Sequence, residues 1–129
     1  APLEPFFPFG FGLSYTTFSY ADLIVEQTTD QVLASVEVTN TGKYPGEETV
    51  QLYIQDIAAS LVRPVKELKA FTKVLLQPGQ KATVDLAVPK ARMGFYDNAM
   101  VYRLEDGAFN IYVGANSRDC LQKSIDIAF

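Results

Sequence analysis

Glu47 and Glu48 stand side by side, and Glu105 and Asp106 repeat the arrangement. Paired carboxyl groups are what general acid/base and glycosyl-transfer chemistry uses. Neither pair meets the geometry. Neighbours on a strand point to opposite faces, so Glu47 and Glu48 diverge, and Glu105-Asp106 read as turn residues beside Gly107. Asp97 and Asn98 offer oxygens in an aromatic loop, but a calcium site takes about six or more, and a solvated turn accounts for them. The chain has no histidine, which removes His-based triads and most zinc sites. Cys120 without histidine is a poor nucleophile. As the lone cysteine it has no internal disulfide partner and reads as a small apolar residue opening a strand. Gly10 and Gly12 neither follow a strand nor open a helix, so they make no phosphate loop. These residues predict no catalytic group, no metal site and no cofactor. Tyr53, Tyr96 and Tyr112 remain as candidates for stacking on a sugar ring. For Tyr53 and Tyr112, on outward strand phases, packing against neighbouring strands or another domain is the competing use.

The elements that position these side chains centre on residues 32–56, VLASVEVTNTGKYPGEETVQLYIQD. Val32, Ala34, Val36 and Val38 fall on one face of a first run, opposite Ser35, Glu37 and Thr39; Val50, Leu52 and Ile54 share a face of a second, opposite Gln51, Tyr53 and Gln55. Period two with β-branched residues predicts two core strands and excludes the i, i+3, i+4 spacing of a helix. Residues 40–46 between them are too long for a two-residue hairpin loop. They suit an arch from one sheet to a facing sheet, a long hairpin being the alternative. In that arch Pro45 is expected at the first corner of a type II turn and Gly46 at the positive-φ second corner.

With 129 residues and 48% hydrophobic content, one domain with a sizeable core is expected. A net charge of -4 and scattered basic residues disfavour a nucleic-acid partner. No apolar run approaches the ~20 residues of a membrane-spanning helix, and no signal-peptide pattern opens the chain.

Residues 1–15 hold three prolines, two glycines and five aromatics, a mixture that forms neither a regular helix nor a central strand. This predicts an extended segment that either folds back over its own domain or docks on another. Residues 18–28 read as a strand whose phase slips near Ala21 and Asp22, as at a bulge. Residues 57–64 read as a loop closing at Arg63-Pro64. Lys66, Lys69 and Lys73 would also suit a helix face, but 66–76 runs into Gln77-Pro78-Gly79-Gln80, a type II turn signal, and residues 81–88 alternate again. Pro89 ends that strand. A loop with one helical turn is expected over 91–100, a short strand over 101–104, and two closing strands around 109–113 and 125–129. The predicted fold is all-β: an antiparallel two-sheet sandwich of about seven strands, with 1–17 an extended linker and 18–129 the sandwich.

Several blocks, in order, resemble one family: FPFGFGLSYTTF (7–18), VEVTNTGKYPGEETVQLYIQD (36–56), RPVKELKAF (63–71), KVLLQPGQ (73–80) and GAFNIYVGANS (107–117). Together they are similar to the C-terminal fibronectin type III-like domain of glycoside hydrolase family 3 enzymes, the β-glucosidases and their relatives. Ala70 stands where glycine is expected in many members. The resemblance implies a non-catalytic domain that packs on preceding catalytic domains of the same polypeptide, a barrel with the nucleophilic aspartate and an α/β domain that usually carries the acid/base glutamate. It makes Phe7, Phe9, Phe11 and Tyr15 candidates for the domain interface, with the loop 56–67, including Arg63 and Pro64, as a second. The implied parent is periplasmic or secreted, the cytoplasm being the alternative, and its sugar is not written in these residues.

Overall fold

The computed structural model describes residues 16–57, 66–96 and 99–129. Among them a three-stranded sheet has the order β1 (Phe18–Gln27), β2 (Gln31–Asn40), β5 (Lys81–Pro89). A four-stranded sheet has the order β4 (Glu67–Leu76), β3 (Gly46–Asp56), β8 (Gly107–Gly114), β9 (Cys120–Ile127). All pairings are antiparallel. A two-stranded ribbon, β6 (Phe95–Tyr96) and β7 (Tyr102–Arg103), follows a single 3-10 turn over Lys90–Arg92. The predicted sandwich of about seven strands is therefore present as three facing four.

Alternation explains why the layers meet. Val32, Ala34, Val36 and Val38 of β2 are buried, as are Val84, Leu86 and Val88 of β5, and they face Val50, Leu52, Ile54, Phe109, Ile111 and Val113 from the other sheet. The intervening residues of these strands point outward, so a one-residue slip in register would expose the whole set. At the margins β1 lies against β9 and β4 against β5.

Three crossings join the sheets, the last running from β5 through the ribbon to β8. Residues 41–45 carry the chain from β2 to β3, the predicted arch. Gln77-Pro78-Gly79-Gln80 carries it from β4 to β5, with Gly79 at φ 78 and Gln80 N donating to Gln77 O at 2.9 Å, as a type II turn requires. The expectation for Gly46 fails: it has no positive φ, because it is already the first ladder residue of β3, opposite Leu76. The Asn40 side chain stabilises the arch instead. The predicted phase slip in β1 is a bulge between Ala21 and Ile24, with Asp22 at φ 56, a conformation that a short polar side chain tolerates. The stretch with helix-like lysine spacing is β4, and its register shifts where Leu52 pairs with Ala70 and Tyr53 with Leu68, leaving Lys69 as the extra residue.

Candidate functional site

Glu47 and Glu48 diverge as strand neighbours must. Glu47 is exposed. Glu48 turns to the other face and accepts a hydrogen bond from the Tyr20 hydroxyl at 2.9 Å, joining β3 to β1 across the sheets. Partial burial pushes the Glu48 carboxyl above its ordinary range, opposed by hydrogen bonds from Tyr20 and from the Thr49 backbone. Burial, then the hydrogen bond and charge of Glu48, pushes the Tyr20 phenol up as well. Both groups line an open depression of about 500 Å³ with Thr16, Thr17, Asp119 and, at its exposed rim, Glu47. Asp119 accepts instead from Asn116 Nδ2 at 3.2 Å. Retaining glycoside hydrolysis needs two acids facing each other about 5–5.5 Å apart across a sugar. Here Glu48 is tied to a tyrosine and Glu47 points to solvent. Among the described residues no three His, Cys, Asp or Glu converge on a metal-sized site.

Tyr53 and Tyr112 are cross-strand partners on the outer face of the four-stranded sheet. Stacking and packing are the two uses named for this pair. Tyr112 is only 8% exposed. Its hydroxyl donates to Gln55 Oε1 at 2.8 Å, and Lys66 Nζ sits 4.1 Å from the ring centroid while donating to Ser117 O at 2.8 Å. A protonated amine over the ring is a cation–π contact and occupies the surface a sugar would use. Tyr53 is half-buried, its hydroxyl donating to Gln51 Oε1. Asn110 and Ser124 extend the polar network, with Ser124 Oγ donating to Asn110 Oδ1 at 2.7 Å. Tyr96 lies apart on the ribbon, 62% exposed, its ring edge-on to Tyr102 at 5.2 Å. The three tyrosines do not form one platform. Phe7, Phe9, Phe11, Tyr15, Arg63, Pro64, Asp97 and Asn98 lie outside the described residues. Cys120 opens β9 as predicted, and burial pushes its thiol up.

The residue that sequence reasoning missed is Asn40, completely buried at the end of β2. Its Nδ2 donates to Tyr44 O at 2.8 Å and Leu76 O at 2.9 Å; its Oδ1 accepts from Gly42 N at 2.9 Å and Thr16 Oγ1 at 2.7 Å. One amide thus ties together the incoming chain, the arch and the end of β4. Gly42 permits the close approach, since a Cβ there would overlap Thr16 Oγ1 and lie 3.0 Å from Thr17 N. Thr41 N donates to Thr17 O at 2.8 Å. The available signal was an asparagine at a strand end before Thr-Gly, a residue that readily bonds its own backbone two residues on. Lys90, also missed, is buried, its Nζ donating to Gln27 Oε1 at 3.0 Å and Ala128 O at 2.7 Å.

Two antiparallel sheets facing each other across one apolar core define a β-sandwich module. The family model for the fibronectin type III-like domain matches residues 48–117, and the chain belongs to that family. It is 44% identical over 127 residues to the periplasmic β-glucosidase of Salmonella typhimurium, covering 95% of this chain and 17% of that protein. It is 44% identical over 126 residues to thermostable β-glucosidase B of Acetivibrio thermocellus, covering 94% of this chain and 17% of that one. Among solved structures, β-glucosidase 3B of Thermotoga neapolitana in complex with α-D-glucose superposes with a TM-score of 0.81 at 37% identity, over 92% of this chain and 17% of that one. The chain thus spans about a sixth of the length of these relatives.

Proposed function

We propose that this chain is the non-catalytic accessory domain of a β-glucosidase-like enzyme of glycoside hydrolase family 3, packing against and stabilising catalytic domains in the same polypeptide. The observation that carries this reading is the asymmetry of coverage: nearly all of this chain aligns with β-glucosidases, yet it accounts for only 17% of their length. The diverging acids support it, since such hydrolysis requires a facing pair. Residues 1–17 act as the link to the preceding domain and 18–129 as the sandwich; β1 starting at Phe18, directly after threonines bonded to the arch, supports that division. The loop 56–67 with Arg63 and Pro64 is a second contact region. The periplasmic name of the Salmonella relative supports an exported parent.

The test is assay of the 129-residue chain and of the parent on an aryl β-glucoside. Turnover is expected from the parent and none from the chain alone. Turnover by the pure chain, lost on Glu48→Gln, would overturn the reading. Sugar contact is the second reading, and it rests on the exposure of Tyr96. Titration with soluble glucans at millimolar sugar is expected to give no heat; heat abolished by Tyr96→Ala would establish it instead.

A further inference from the structure

The four-stranded sheet ends in two edge strands, β4 and β9. β4 is interrupted by its bulge at Lys69, whereas β9 pairs with β8 from Gly107↔Ile127 to Gly114↔Cys120 without a shift. Leu121, Ile125 and Ile127 of β9 share the phase that packs on the core. A straight edge strand with an apolar face is a template on which a second chain adds a strand of its own. At one end of β9 that template is already filled. Gln27, the last residue of β1, reaches across from the facing sheet with its side-chain amide: Nε2 donates to Asp126 O at 2.6 Å, and Oε1 accepts from Ala128 N at 3.4 Å. In a parallel pair one residue of a strand bonds two positions, two apart, on its neighbour. The Gln27 amide makes the same pair of bonds without bringing a strand.

Buried Lys90 holds that amide in place. Its Nζ donates to Gln27 Oε1 at 3.0 Å and to Ala128 O at 2.7 Å. An ammonium only donates, so it fixes Oε1 toward Lys90 and Nε2 toward Asp126. Asp126 O, Ala128 N and Ala128 O are thus all taken by side chains. Backbone groups alternate sides along a strand, so those of Gln122 and Ser124 point to the same free edge. Between these two stands Lys123, opposite buried Ile111 and therefore on the apolar phase, yet exposed. A strand added along β9 would extend the sheet and the apolar layer beneath it, and would take the Lys123 ammonium out of water. We infer that Gln27, Lys90 and Lys123 guard the β9 edge, Gln27 and Lys90 by occupying its backbone groups and Lys123 by its charge, so that a second copy of this chain adds no strand there. The guard goes beyond the accessory-domain reading and does not depend on it.

The test is sedimentation of the 129-residue chain and its variants, with hydrogen exchange to locate any contact. Gln27→Ala with Lys123→Val should self-associate at a concentration at least about tenfold below that needed by the unchanged chain. In the assembly the Gln122 and Ser124 amides should exchange more slowly than in the monomer. Adding Ser124→Pro, which removes an N–H from the free edge, should restore the monomer. Lys123→Val alone disturbs no hydrogen bond of the Gln27–Lys90 clasp and carries the test where the double change fails to fold: it should associate, more weakly, while Lys123→Glu stays monomeric because either charge resists burial. A folded Lys123→Val chain that associates no more readily than the unchanged one overturns the guard. So does association that leaves exchange at residues 122–124 unchanged, or that survives Ser124→Pro, since the contact then lies elsewhere.

Discussion

At the end of the sandwich where the chain enters, around residues 40–46, a buried asparagine fills the hydrogen-bonding positions of its amide and a glycine lets two threonines lie against the arch. At the opposite end, Tyr96, Met100, Val101, Tyr102 and Leu104 are exposed, and Met100 holds φ 63. The difference is one of polar satisfaction. Buried amides and carbonyls at the arch must all be partnered or cost on the order of 1–3 kcal/mol each, so that end tolerates little change. At the ribbon the polar partners lie near the surface, the exposed Tyr102 hydroxyl accepting from Gly94 N and donating to Ala91 O, each at 2.9 Å, where water can replace them.

Asn40→Ala breaks this contrast most directly. It leaves the carbonyls of Tyr44 and Leu76 and the Thr16 hydroxyl without their partner, and urea unfolding should report a loss of about 3–5 kcal/mol. A loss under about 1 kcal/mol would show that water replaces the amide and that the two ends do not differ. Leu52→Ala, in the core between the ends, should cost roughly 2–5 kcal/mol by the same measurement. Gly42→Ala should cost about 1–3 kcal/mol, and Thr16→Ala in the same chain should recover part of it, since the overlap is with the Thr16 side chain. No recovery would place the strain in the backbone of Thr17.

A smaller effect tests the Tyr20–Glu48 bridge by pH. Glu48 has its carboxyl pKa raised on folding from 4.5, so the folded state binds its proton more tightly. The contribution is then fully present below about pH 4.5 and falls as pH rises through the raised folded value. Glu48→Gln should remove that fall, so its stability relative to the parent sequence should be more favourable at pH 7 than at pH 4. The opposite slope would mean that the Tyr20 hydrogen bond outweighs burial. The least effect belongs to the ribbon: Met100→Gly relieves a left-handed conformation without losing a packed side chain, and a Tm shift corresponding to less than about 1 kcal/mol is expected.

Much of the fold was legible because sterics act locally. Alternation in residues 32–39 and 50–55 set which side chains face the core, Pro78-Gly79 marked a turn that only positive φ completes, and the interrupted phase at Asp22 revealed a bulge. Gly46 misled because a Pro-Gly pair signals a turn whether or not the glycine is already in a ladder. The candidate surfaces were less legible. Tyr112 has an outward phase, and its covering comes from Lys66, 46 positions earlier in the chain. Phe71 looked like any strand aromatic until it proved to lie exposed on the outer face of its sheet, opposite Gln51.

The sequence by itself determined the all-β class and the inward and outward phase of the core strands, since each follows from residue type and a period of two along the backbone. Only the tertiary structure decided that Asn40 joins residues 24 and 36 positions away, that Lys90 reaches Gln27 from 63 positions off, and that Leu68, Phe71 and Leu75 are exposed. Those outcomes depend on which distant segments become neighbours. Hydrogen-bond satisfaction and exposure are properties of that neighbourhood, and no local pattern encodes them.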